Sequence, residues 1–123
     1  MGVLSLLVVA SALGAFQVSA GPVIPNESLV RGEVVELEAL HSSTLNINPP
    51  QMLFRMKLRL LSVQDVPSKP NLLTAKSGDT IEVYSRQTLL PGLVGKVIKG
   101  SVTFRGDERG GRYWISRIAE ERP

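Results

Sequence analysis

Between Met52 and Val63 the chain reads MLFRMKLRLLSV, with Phe54, Met56, Leu58 and Leu60 at one set of alternate positions and Arg55, Lys57 and Arg59 at the other. A period of two puts the apolar set on one face of a strand and the cations on the opposite face; a helix would scatter the charges around its circumference. At Leu60-Leu61 the alternation slips by one residue, and Leu61 and Val63 carry the apolar phase onward. Such a slip predicts a β-bulge, which bends a strand as a closed barrel requires. LVRGEVVELEAL, Leu29 to Leu40, repeats the feature: Arg31 and Glu33 form one polar phase, Glu36 and Glu38 the other, and Val34-Val35 mark the switch. Gly32 inside this segment predicts a point where the strand coils or another backbone comes close.

Three shorter alternating segments follow. In DTIEVYS, Ile81 and Val83 alternate with Glu82 and Tyr84, after the turn signal Ser77-Gly78-Asp79. KVIKGSVTF offers Val97, Val102 and Phe104 to a core, with Gly100 as an interior kink. GRYWISRI offers Tyr113 and Ile115, with Trp114 and Ile118 one phase away. No segment after residue 28 has a helical period, so the pattern predicts a compact all-β domain of five strands.

The chain before Leu29 has a different character. MGVLSLLVVASALGAFQVSA, residues 1–20, carries no charge and closes on Val18-Ser19-Ala20. An apolar run followed by small residues at the cut site predicts a secretory signal peptide cleaved after Ala20. Left uncut, the same run would anchor the chain in a membrane, the one circumstance in which a membrane is an expected partner. GPVIPNES, residues 21–28, has two prolines and no period and reads as a linker, leaving residues 29–123 as the domain. The expected location is therefore exported, periplasmic or secreted. With 123 residues in all there is one core to find. There is no cysteine, so hydrophobic burial alone must hold the exported fold.

Five strands, slipped and glycine-kinked in the first half, resemble the oligonucleotide/oligosaccharide-binding (OB) fold, a small five-stranded Greek-key barrel. The resemblance covers Leu29 to Ile118. That fold commonly carries a helix between its third and fourth strands, whereas RQTLLPGLVG, Arg86 to Gly95, has Pro91 and two glycines and supplies one turn at most. A helix-free variant and another small barrel, such as an SH3-like one, both stay open.

The tripeptide Arg105-Gly106-Asp107 has the form of a cell-adhesion signal, but RGDERGGR joins two predicted strands. Gly106-Asp107 and Gly110-Gly111 supply the positive φ values that a tight connection demands, so the segment is read as a hairpin tip.

Charge and candidate chemistry narrow the function only partly. Fourteen Lys and Arg against 11 Asp and Glu give +3, too small an excess to argue nucleic acid. His41 is the only histidine, and Asp65, Asp79 and Asp107 all fall in predicted turns, so no Ser/His/Asp constellation is expected. One histidine and no cysteine exclude a His/Cys metal site, and no cofactor is expected. An exported nuclease on the same barrel would place catalytic arginine and acidic residues on it, and no such pattern is present. What remains is a non-catalytic binding module, with Arg55, Lys57, Arg59, Tyr84 and Trp114 as the expected contact. The cations either track an anionic polymer or pair with Glu33, Glu36 and Glu38 of the preceding strand, and opposite signs on consecutive strands favour pairing. The expected partner is a protein or a small polymeric ligand; nucleic acid or an anionic glycan is the second choice.

Overall fold

A computed structural model describes residues 24–107 and 110–122. The predicted signal peptide and its cleavage site lie outside the described residues. Five strands, β1 (Ser28–His41), β2 (Met52–Asp65), β3 (Thr80–Ser85), β4 (Val97–Asp107) and β5 (Gly110–Glu120), make the domain all-β. They hydrogen-bond in the order β1-β2-β3-β5-β4, and β4 returns to pair with β1, closing the sheet into a ring. β1/β2, β2/β3 and β1/β4 are antiparallel; β3/β5 is parallel. Between β3 and β4 there is only a single 3-10 turn, Pro91–Leu93, in keeping with Pro91 and its neighbouring glycines. Residues 25–104 with 112–122 form one compact unit.

Both bulges stand where the alternation slips. Arg31 pairs with Ser62 and Gly32 with Leu60, leaving Leu61 as the extra residue of β2; Val34 pairs with Leu58 and Glu36 with Lys57, leaving Val35 as the extra residue of β1. Val35 is accordingly exposed, although it is β-branched and apolar. Across each bulge the inward positions change parity while the inward face stays the same, so that Val34 is followed by Leu37 and Leu60 by Val63. Val30, Val34, Met56, Leu58, Leu60, Ile81, Val83, Ile98, Val102 and Ile115 form a single buried cluster, with Leu37, Phe54, Tyr113 and Ile118 packed against it.

In β4 the inward phase is that of Ile98, fully buried, and not of Val97, which is half-buried. Gly100 and Val102 continue it, and a core reading that starts at Val97 is one residue out of phase. In β5 the inward phase passes from Ile115 to Ile118 across Arg117, whose φ of +54° is left-handed.

The two strand glycines mark close approaches. A Cβ on Gly32 would lie 2.7 Å from Leu58 Cγ and 2.9 Å from the Arg59 carbonyl oxygen, and one on Gly100 would lie 2.7 Å from Ile115 Cδ1. Bare backbone at these points lets β2 and β5 come close against their neighbours.

The stretch before β1 is also tied in. Asn26 and Glu27 are buried, as is Ser28 at the start of β1. The Asn26 amide donates to the Phe104 carbonyl (3.0 Å) and its Oδ1 accepts from the Phe104 N–H (2.8 Å). An amide side chain here bonds a strand backbone as another strand would, at the point where β1 has not yet begun.

Candidate functional site

The strand register lays the outward side chains in transverse rows. Glu38 pairs with Arg55, Arg55 with Tyr84, and Tyr84 with Trp114, so one row crosses β1, β2, β3 and β5. Glu36, Lys57 and Glu82 form the next outward row, and Glu33, Arg59 and Thr80 the one beyond. Leu37, Met56, Val83 and Tyr113 occupy the inward row between the first two, and the period of two sends their side chains to the core. Arg55, Tyr84 and Trp114 therefore share one row, while Lys57 and Arg59 stand in the two rows beside it.

Each of the three cations has a carboxylate at hand. Arg55 donates through Nε to Glu38 Oε1 at 2.7 Å, and Glu82 lies 3.8 Å away on its other side. Lys57 faces Glu36 at 3.7 Å, and Arg59 donates to Glu33. The bond to Glu38, and next the Tyr84 hydroxyl, hold the Arg55 guanidinium above its ordinary pKa. This face thus sets three cations against the four carboxylates of Glu33, Glu36, Glu38 and Glu82. Pairs of this kind at a solvated surface are each worth about 0.2–1 kcal/mol. A shallow depression of about 360 Å³ lies among Glu36, Glu38, Arg55, Lys57 and Glu82.

The aromatic end of the first row is built differently. Tyr84 and Trp114 have ring centroids 5.7 Å apart, tilted by 45°. Tyr84 is only 6% exposed, yet it stands apart from the core cluster, because neighbours on the outer face cover it. The Arg86 guanidinium carbon stands 4.3 Å from the Trp114 ring centroid, and that of Arg112 stands 5.7 Å from Tyr84. Sequence reasoning found the two rings but missed the two arginines. The signal was available: Arg86 follows Tyr84 by two residues and Arg112 precedes Trp114 by two, so both share the outward phase of their ring.

A second depression, of about 630 Å³, opens between β1, the end of β2, β4 and β5, and is lined in part by Glu27, Arg31, Lys99, Arg117 and Glu121. Most of its charges are bonded to one another. Glu27 accepts from Ser101 Oγ (2.6 Å), Lys69 Nζ (2.9 Å) and Arg117 Nη2 (2.8 Å). The Ser101 hydroxyl, then Lys69, hold its carboxyl below the usual range against the opposing effect of burial. Arg31 Nε reaches both oxygens of Glu121, at 2.8 and 2.7 Å, and lowers that carboxyl too.

His41 ends β1, exposed, where its Nδ1 accepts from the Ser43 N–H at 3.1 Å and caps the 3-10 turn Ser42–Leu45. Among the described residues no three His, Cys, Asp or Glu side chains stand together as metal ligands, and no helix is long and apolar enough to cross a membrane. Comparison with protein-family models, curated proteins and solved structures found no match to this chain.

Proposed function

We propose that the chain is an exported, non-catalytic binding module on an OB-class barrel, making its contact through the outer face that carries Arg55, Lys57, Arg59, Tyr84 and Trp114. The spatial order β4-β1-β2-β3 supports the fold assignment, because a fourth strand returning beside the first is the Greek-key arrangement. In OB folds the outer surface of strands 2 and 3 is the customary contact.

The observation that carries the functional reading is the single row Glu38, Arg55, Tyr84, Trp114, which gathers both aromatic rings and a charge pair on one face. The near-balance of charge on the adjoining rows favours a protein partner over a polyanion. A polyanion would have to displace Glu33, Glu36 and Glu38 from the cations it sought. The other reading is a nucleic-acid or anionic-glycan binder that uses the same cations.

Salt separates the two. Binding of the mature chain to a single-stranded oligonucleotide or to heparin is measured at about 50 and 200 mM salt, beside a double Arg55→Ala/Lys57→Ala variant. Tight binding to either polymer that falls steeply with salt, and that the double variant abolishes, would replace the protein-partner reading with the polyanion one. Weak binding, little altered in the variant, is the expected result.

A further inference from the structure

We propose that the outer face of β3 and β5, centred on Trp114, docks a protein segment of mixed charge: Arg86 and Arg112 receive its carboxylates, and the glutamates of the neighbouring rows receive its cation. The inference rests on the binding-module reading above and supplies its contact point and partner chemistry.

Among the described residues, Arg31, Arg55, Lys57, Arg59, Lys69, Lys96 and Arg117 each have a carboxylate within ion-pair distance, whereas Arg86 and Arg112, like Lys76, Lys99, Arg105 and Arg122, have none. What these two have instead is an aromatic ring each, Trp114 and Tyr84. Attraction between a cation and a ring positions the guanidinium without using a hydrogen-bond acceptor, so its N–H groups keep their capacity for a bidentate carboxylate. The parallel register sets the two arginines at opposite ends of the ring pair, Arg86 past Tyr84 and Arg112 ahead of Trp114.

Across the strands the sign of the charge reverses. From Trp114 the row runs through Tyr84 and Arg55 to Glu38, and the depression beside it holds Glu36, Glu38 and Glu82 against Arg55 and Lys57. The outer surface thus offers Arg86 and Arg112 beside the ring pair and, next to them on β3, β2 and β1, three carboxylates against two cations. A nucleic-acid strand leaving Arg112 across the strands would run onto Glu82 and Glu36, with Lys57 between them. It would also find no open platform for a base, because Arg86 lies over the Trp114 ring and Tyr84 is covered. A protein segment supplies both signs, and Trp, Tyr and Arg are the residues on which protein contacts most often concentrate their energy.

Trp114 is the only tryptophan of the chain, so its fluorescence reports on this site alone. The probe is a synthetic peptide with two glutamates and two lysines separated by four glycines, titrated into the mature protein to about 1 mM. Its controls are the same peptide with glutamine for glutamate and an oligothymidylate of equal length. The expected result is a saturable shift of Trp114 emission with the mixed-charge peptide, and roughly tenfold weaker binding of the glutamine peptide.

Arg86→Ala with Arg112→Ala should weaken the peptide by roughly tenfold or more, and Arg86→Lys with Arg112→Lys by less, since lysine keeps the charge and loses the planar fork. Urea unfolding of each variant establishes that it is folded. Unaltered affinity in the alanine pair, a tighter response to oligothymidylate than to peptide, or no emission change up to the highest concentration would each overturn the proposal. Loss of peptide binding in Arg55→Ala/Lys57→Ala with none in Arg86→Ala/Arg112→Ala would also overturn it, while leaving the binding-module reading in place.

Discussion

Arg117 donates to Glu27 at 2.8 Å from a left-handed backbone, φ +54°, inside β5. A non-glycine residue in that region of the backbone is held there by its surroundings. The bond ties the segment before β1 to the last strand, and through Lys69 and Ser101 the same carboxylate also ties in the loop after β2 and the middle of β4.

Glu27→Gln is therefore expected to destabilise the protein by about 1–3 kcal/mol, the range for weakening charged hydrogen bonds around a buried group. The sign of the pH dependence follows from the depressed carboxyl. Its contribution is complete above the ordinary glutamate value of 4.5 and is lost as pH falls through the lower folded value. Urea midpoints of the wild type should fall on acidification below that point, and the Glu27→Gln midpoint should fall less. Parallel curves for the two proteins would show that Glu27 is not the group responsible.

Gly32→Ala should cost on the order of 1–3 kcal/mol. The new methyl would meet Leu58 Cγ at 2.7 Å and the carbonyl oxygen of Arg59 at 2.9 Å, and the second is backbone that cannot rotate away. Gly92→Ala, with nothing within 4 Å of its Cβ position, is the matched control and should stay within about 0.5 kcal/mol. Thermal unfolding of the pair measures the difference.

At the β4–β5 tip, Gly110 has φ +122°. Gly110→Val should cost on the order of 1 kcal/mol or more, since it puts a β-branched side chain into a region glycine alone adopts freely. Arg105-Gly106-Asp107 closes β4, and β5 begins at Gly110, as a hairpin connection requires. Asp107→Asn should leave cell attachment unchanged. Attachment that this substitution abolishes, with stability intact, would make the tripeptide a ligand.

The rule of alternation made five strands and two bulges legible, because a period of two and its slips are local properties of a sequence. The switches at Val34-Val35 and Leu60-Leu61 could be placed without knowing their partners, whereas the pairing of β1 with β2 is what makes Val35 and Leu61 the extra residues. Alternation fails where both phases are apolar: Val97 and Ile98 are adjacent hydrophobes, and only the pairing of β4 with β1 decides that Ile98 goes in. The cation row was legible, and its pairing with Glu33, Glu36 and Glu38 followed from opposite signs on consecutive strands. The outward phase of Arg86 and Arg112 was legible too, but not their contacts, because each lies against the ring of the other strand and so depends on a parallel β3/β5 pairing between segments far apart in the chain.

The bulges make the sharpest test of the register. Without Val35, Val34 stays inward, Glu36 outward, Leu37 inward and Glu38 outward, and the pairs Val34 with Leu58 and Glu36 with Lys57 become consecutive. Deleting Val35 therefore removes a bend but flips no side chain. The same holds for Leu61, since Leu60 opposite Gly32 and Ser62 opposite Arg31 remain neighbours on the ladder. Deleting Lys57 is different: every residue of β2 on one side of the gap turns over, and Leu58 and Leu60, both fully buried, would exchange places with Arg59 or force β1 out of register. The Val35 and Leu61 deletions should each keep a cooperative urea transition, lowered by on the order of 1–3 kcal/mol for the lost curvature. The Lys57 deletion should show none. A cooperative transition in the Lys57 deletion, or its loss in both of the others, would mean that these two residues are not the extra members of the β1/β2 ladder.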